Sequence, residues 1–309
     1  MRLNYLRNCE LGLGLEYDLV LVGTGPESRA RNLVEKYRPS APYKFYIATT
    51  SVADGFASDE NKKFFESEGY LLQSLNNLGG MLELISGDKD NSFLSILIDI
   101  TCFSRPALAE IFVALARWSA SEKLTVTIGY SLAKFTTPAA ESYPNEAIEP
   151  VHDYFSGWPS SHSNPTSLIL GLGYERHKAE GASEYLDAGE QWGFIPTSQV
   201  QEFLPQVEEN NAHLIERLKS EGHVVRYDVH DSERTFGQLE LVLSDLLRTT
   251  NPVLLPFGPK LFFSLCLVQG VLHPEVGIWH VTGESIEEAK DRKASGIEIA
   301  YQVRFVKPA

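Results

Sequence analysis

Glycine and a carboxylate recur at one spacing in two places along this 309-residue chain. Gly23-Thr-Gly25-Pro-Glu27 follows the apolar run Asp18–Val22, and Gly171-Leu-Gly173-Tyr-Glu175 follows Thr166–Leu170. Glycine lets a backbone approach a ligand closely, and a helix that opens just after such a turn favours an anion at its N-terminus. The full dinucleotide fingerprint needs a third glycine. Ser28 and Arg176 stand there instead, so NAD held in the usual mode is not expected. The plain alternative is a pair of tight turns, with Glu27 and Glu175 complementing a helix dipole.

Two further clusters carry charge. Asp99-x-Thr101-x-x-x-Arg105 closes a long apolar strand, where Arg105 can grip a phosphate in a bidentate fork. The bland reading pairs Arg105 with Asp99. Pro256-Phe-Gly258-Pro-Lys260 closes another apolar strand and opens an apolar helix. A cation at a helix N-terminus is unfavourable without an anion nearby, which favours ligand contact for Lys260.

Other chemistries lack their residues. No serine stands in a GxSxG elbow and no Walker A run occurs. The eight histidines show no metal-binding spacing, and no cofactor or metal is expected. The three cysteines are far apart and suggest neither a zinc site nor a disulfide framework. The formal net charge of −14 argues against general binding of duplex nucleic acid. With no signal-like N-terminus and no run of about 18 apolar residues, a cytoplasmic location and no membrane contact are expected.

The elements that must position these residues alternate. Apolar, β-branched runs without period-two alternation read as strands buried on both faces, each followed by a helical stretch. Within the first half the reading includes a helix over Asn61–Leu75 and a strand over Leu82–Ile85. The order then repeats. Gly25 and Gly173 are 148 residues apart, as are Glu27 and Glu175, and the closing strands near Tyr130 and His280 are 150 apart. Ordered matches at similar offsets indicate internal duplication. The expected fold is α/β, two Rossmann-like units of mostly parallel sheet. Residues 1–135 form the first half. Residues 136–165, rich in proline, form an irregular connector. Residues 166–309 form the second half, ending in a charged helix from Glu284 and a strand over Ile297–Val306. Ligand loops should lie at the C-terminal ends of the strands, and two facing copies would share one pocket.

A glycine loop after the first strand (Gly23, Gly25), with a small-residue loop ending in lysine before an apolar helix (Gly258, Lys260), resembles the CARF superfamily. Pro259 stands where many members have threonine. The duplicated halves are similar to the SAVED arrangement of two CARF-like units. The resemblance implies a sensor of nucleotides or cyclic oligonucleotides in bacterial antiphage defence, with a separate effector protein as partner. From the residues alone, two other readings stay open. One is an enzyme on a nucleotide-like or phosphorylated substrate, with Asp99 and Glu27 as acid and base and Arg105 and Lys260 on the anion. The other is a structural partner in a complex, using exposed aromatics such as Trp158.

Overall fold

The computed structural model describes residues 2–48, 56–87, 93–119, 123–137, 147–157, 164–282 and 291–306. Trp158, the start of the expected helix at Glu284, and connector residues 138–146 and 158–163 lie outside the described residues. The chain divides into two compact units, Met1–Lys134 with Glu288–Ala309, and Phe135–Glu287.

The first unit holds β1 (Arg2–Asn8), β2 (Leu19–Thr24), α1 (Asn32–Tyr37), β3 (Tyr43–Ala48), α2 (Ser58–Ser67) and β4 (Leu71–Gln73). It continues with α3 (Leu78–Gly87), β5 (Leu94–Asp99), α4 (Arg105–Ser119) and β6 (Leu124–Ala133). The second unit holds β7 (Ala147–Pro150), β8 (Thr166–Gly171), α5 (Lys178–Leu186), β9 (Glu190–Thr197), α6 (Phe203–Asn210) and α7 (Ala212–Ser220). After these come β10 (Val224–Asp228), α8 (Ser232–Leu246), β11 (Asn251–Pro256), α9 (Lys260–Leu272) and β12 (Gly277–Thr282). The last strand, β13 (Ala294–Val306), returns to the first unit.

The two sheets share one topology. The first runs β4-β3-β2-β5-β6-β13-β1, and the second runs β10-β9-β8-β11-β12-β7. In each, five parallel strands stand in the order third, second, first, fourth, fifth, and an antiparallel strand lies outside the fifth. This is the order of the doubly wound Rossmann fold without its sixth parallel strand, with the switch point between the first and fourth strands. The matched order makes the duplication visible in the backbone. Strands β2 and β6 are buried along their whole length, as sheets covered on both faces require. Helix α9 is buried on every side from Leu261 to Val271, matching its uniformly apolar sequence. Among the described residues no helix is long and apolar enough to cross a membrane.

Four boundaries differ from the sequence reading. The helix expected over Asn61–Leu75 ends as α2 at Ser67, because Gly69 turns the chain in the left-handed region at φ 80°, and Leu71–Gln73 then forms β4 beside β3. Strand β13 is not part of the second unit; it sits between β1 and β6 in the first sheet. The connector is not wholly irregular, because Ala147–Pro150 pairs antiparallel with β12. Pro150 is tolerated because β7 is an outer strand. The segment read as a strand at Leu82–Ile85 lies within α3, whose Leu78, Leu82 and Ile85 are buried at helical spacing. A short apolar run does not distinguish strand from buried helix, and here the period decides.

The outer antiparallel strands are exchanged. The chain leaves β6 of the first sheet to form β7 beside β12, and leaves β12 of the second sheet to form β13 beside β6. Removing residues 294–309 would therefore strip the first sheet, not the second. Such a truncation is expected to lose cooperative melting of the first unit by circular dichroism and to make residues 1–134 the preferred target in limited proteolysis. A truncated chain that melts like the full one would contradict this pairing.

Candidate functional site

Each unit carries its sequence-flagged residues on the edge formed by the C-terminal ends of its parallel strands. In the first unit Gly23 belongs to the end of β2. A Cβ there would stand 3.0 Å from the backbone nitrogen of Phe103 and 3.1 Å from its ring, so the glycine lets the loop after β5 lie against β2. The Gly25 carbonyl accepts a hydrogen bond from Asn61 Nδ2 at 2.7 Å, and the same amide donates to the Glu27 carbonyl at 2.9 Å. Asn61, fully buried in α2, thus pins the loop.

The Glu27 carboxylate pairs with Arg29 at 2.5 Å. Arg29 is only 2% exposed. Its guanidinium also donates to the Ser131 carbonyl at 2.7 Å and lies over the Tyr130 ring. Burial works against the Arg29 charge, but the Tyr130, Glu27 and Cys102 groups outweigh it and hold the guanidinium protonated more firmly than usual. Glu27 is therefore engaged inside the protein, which leaves it poorly suited as a free base. Asp99, buried at the end of β5, accepts from the Thr101 backbone N–H at 2.9 Å, and the Thr101 hydroxyl accepts from Ser131 N–H at 2.9 Å. These bonds turn the chain out of β5 and tie it to β6. Burial, and next the Asp99 charge, push the Tyr70 hydroxyl up from its ordinary range. Arg105 opens α4, half-buried, with no acidic residue in the first turn.

The second unit repeats the arrangement with closer contacts. A Cβ on Gly171 would stand 2.5 Å from the Phe262 ring, and one on Gly173 2.7 Å from the Phe257 carbonyl oxygen. A Cβ on Gly258 would meet the Leu172 carbonyl oxygen at 2.8 Å. Phe257 N–H and Gly258 N–H both donate to the Gly171 carbonyl, at 2.8 and 2.9 Å. The loops after β8 and β11 are thus in backbone contact, and these glycines are required by that approach. Asn211, buried between α6 and α7, donates to the Gly173 carbonyl at 2.8 Å and to the Val207 carbonyl at 2.8 Å. Glu175 is half-buried in the loop after β8. Lys260 opens α9, half-buried, with no acidic residue in the first turn.

Gly23, Gly25, Glu27, Asp99, Thr101 and Arg105 thus share the strand-end edge of the first unit. Gly171, Gly173, Glu175, Gly258 and Lys260 share that of the second. Sequence reasoning missed Arg29, Asn61 and Asn211. The signal for the asparagines was present: they lie 150 residues apart, close to the 148 of the glycines they hold. Gln199, Gln201 and Glu202, which follow β9, border a wide, open depression of about 550 Å³. Among the described residues no group of three His, Cys, Asp or Glu side chains is placed to hold a metal ion.

No protein-family model matches this chain, and no curated protein matches it. Among solved structures, the cytoplasmic domain of a prokaryotic cation chloride cotransporter aligns over 89% of this chain and 97% of that one, at 11% identity and a TM-score of 0.23.

The loop anchors make a stability prediction. Asn61→Ala and Asn211→Ala remove the side-chain donor from the Gly25 and Gly173 carbonyls, while the Glu27 and Val207 carbonyls keep a backbone donor, and each variant is expected to cost about 1–3 kcal/mol. Arg29→Ala leaves the Glu27 carboxylate without its partner and is expected to cost about 3–5 kcal/mol. Urea unfolding checks both; losses below about 0.5 kcal/mol, the scale of an ordinary surface change, would remove the anchoring role.

Proposed function

We propose that the chain is a binding protein for an anionic, nucleotide-type ligand, recognised by the strand-end loops. One observation carries this reading: Arg105 and Lys260 each occupy the first position of the helix after the fourth parallel strand of their own unit. A cation at the positive end of a helix dipole is disfavoured unless an anion offsets both. The same choice in two copies otherwise alike mainly in topology is best explained by a shared ligand chemistry. Strand-end loops beside a switch point are where open α/β sheets bind such ligands. The engaged state of Glu27 favours binding over acid-base catalysis at that loop. The CARF-like features support a cyclic oligonucleotide as the ligand class, a regulatory place in antiphage defence, and a separate effector protein as partner.

The test is thermal. Nucleotides and cyclic oligonucleotides are screened for those that raise the melting temperature of the wild type. Arg105→Ala and Lys260→Ala are each expected to weaken binding of the stabilising ligand by about 1.5–3 kcal/mol, the scale of hydrogen bonds to charged groups. Their melting temperatures without ligand should stay close to that of the wild type. Destabilised variants that no anion rescues, with no ligand shifting the wild type, would show that both cations serve only internal pairing.

A further inference from the structure

The N-terminal half of the first sheet carries a feature that the ligand loops do not use. The register places Arg2, Tyr5 and Arg7 of β1 opposite Val306, Arg304 and Gln302 of β13. A bulge between Leu3 and Tyr5 keeps all three β1 side chains on one face. On the next strand Arg304 and Gln302 stand opposite Thr125 and Thr127 of β6. Helix α1 covers the other end of this face, where Leu33 packs over Gly129. Among the described residues no helix covers the β1 end, and Arg2, Arg7 and the neighbouring Lys123 are exposed there.

Cations and aromatic rings interleave on this surface. The Arg304 guanidinium lies 4.9 Å from the Tyr5 ring centroid and 4.4 Å from that of Phe93. Arg7 lies 4.8 Å from the Tyr5 centroid, and Lys123 5.7 Å from that of Phe93. Neutral groups hold them in place. Arg304 Nε donates to the Thr125 hydroxyl at 3.1 Å, and Arg7 and the Tyr5 hydroxyl both donate to Gln302 Oε1. Among the described residues none of these cations pairs with a carboxylate; their partners are rings and neutral oxygens. In a chain with 41 acidic against 27 basic residues, four cations gathered around one end of a sheet depart from the average charge.

We propose that this face of β1 and β13, with Phe93 and Lys123 beside it, binds single-stranded nucleic acid. Charge complementarity selects a polyanion. A guanidinium stacked on a ring keeps in-plane N–H groups for phosphate oxygens, and ring faces and edges beside it suit unpaired bases. Protection of a sheet edge would explain charges on β1 alone. It does not explain Arg304, one strand inward, or Lys123, which precedes β6. An acidic peptide would satisfy the cations but leave the rings without a role.

The probe is a fluorescein-labelled oligodeoxythymidine of about twenty nucleotides, long enough to span a typical single-strand site. It is titrated with the full chain at about 50 mM salt and read by anisotropy. Saturable binding is expected, with a log–log salt slope of about −3 for four cations engaging phosphates of a single strand. A duplex of the same length should compete at least about tenfold less well, since rings cannot reach stacked bases. Arg7→Glu with Lys123→Glu, both exposed, should weaken binding at least about tenfold at unchanged melting temperature. Tyr5→Ala should weaken it through lost stacking, and Arg226→Glu with Arg248→Glu should leave it unchanged. No binding would overturn the proposal. So would equal binding by the Arg7/Lys123 variant, equal competition by duplex, or displacement by polyglutamate or anionic vesicles as readily as by the oligonucleotide.

Discussion

At the switch point of each sheet the first and fourth parallel strands end side by side, and their chains leave toward opposite faces. The two loops must pass within backbone contact of each other. Gly23 beside Phe103, and Gly171 and Gly173 beside Phe262 and Phe257, make that passage sterically open. Buried asparagines on the following helical layer then fix the loop carbonyls, Asn61 on Gly25 and Asn211 on Gly173. Everything else on the ligand edge takes its position from this crossing, including the helices that start at Arg105 and Lys260.

The crossing also gives the two copies different characters. The first unit locks its loop with an ion pair: the half-buried Glu27 meets the buried Arg29, and Arg29 reaches across to β6. A buried pair of this kind adds specificity of conformation more surely than net stability. The second unit has no equivalent arginine. His177 occupies the matching sequence position, exposed and in the left-handed region with φ 61°. Its loop is held by direct backbone hydrogen bonds to Gly171 instead. The outer strands tie the copies into one chain, since each sheet takes its antiparallel strand from the segment that follows the other sheet's fifth parallel strand.

Much of this was legible in the sequence, for physical reasons that can be named. Central strands such as Leu19–Val22 are buried on both faces, so their unbroken apolar runs announce a covered parallel sheet. The repeat of Gly-x-Gly-x-Glu gave the duplication because a tight crossing tolerates no side chain. What stayed hidden depends on pairing between distant segments. The edge strand β1 has a mixed pattern, RLNYLRN, broken by a bulge, and β13 finds β6 across about 160 residues of chain and β1 across about 290. Local periodicity carries no information on which sheet such strands join. The role of Glu27 was hidden likewise, because its partner Arg29 looked like one more charged residue at a helix start rather than a buried one.

The central claim is that anionic ligands dock on the strand-end loops. Backbone-amide NMR of the deuterated chain, titrated with nucleotides and cyclic oligonucleotides, addresses it residue by residue. At least one of these ligands is expected to shift amides concentrated in 23–27, 99–105, 171–175 and 257–260 (Pro26 and Pro259 carry none), saturably and with the rest of the spectrum little changed. Saturable shifts confined to other surfaces, or none with any phosphorylated ligand, would contradict it.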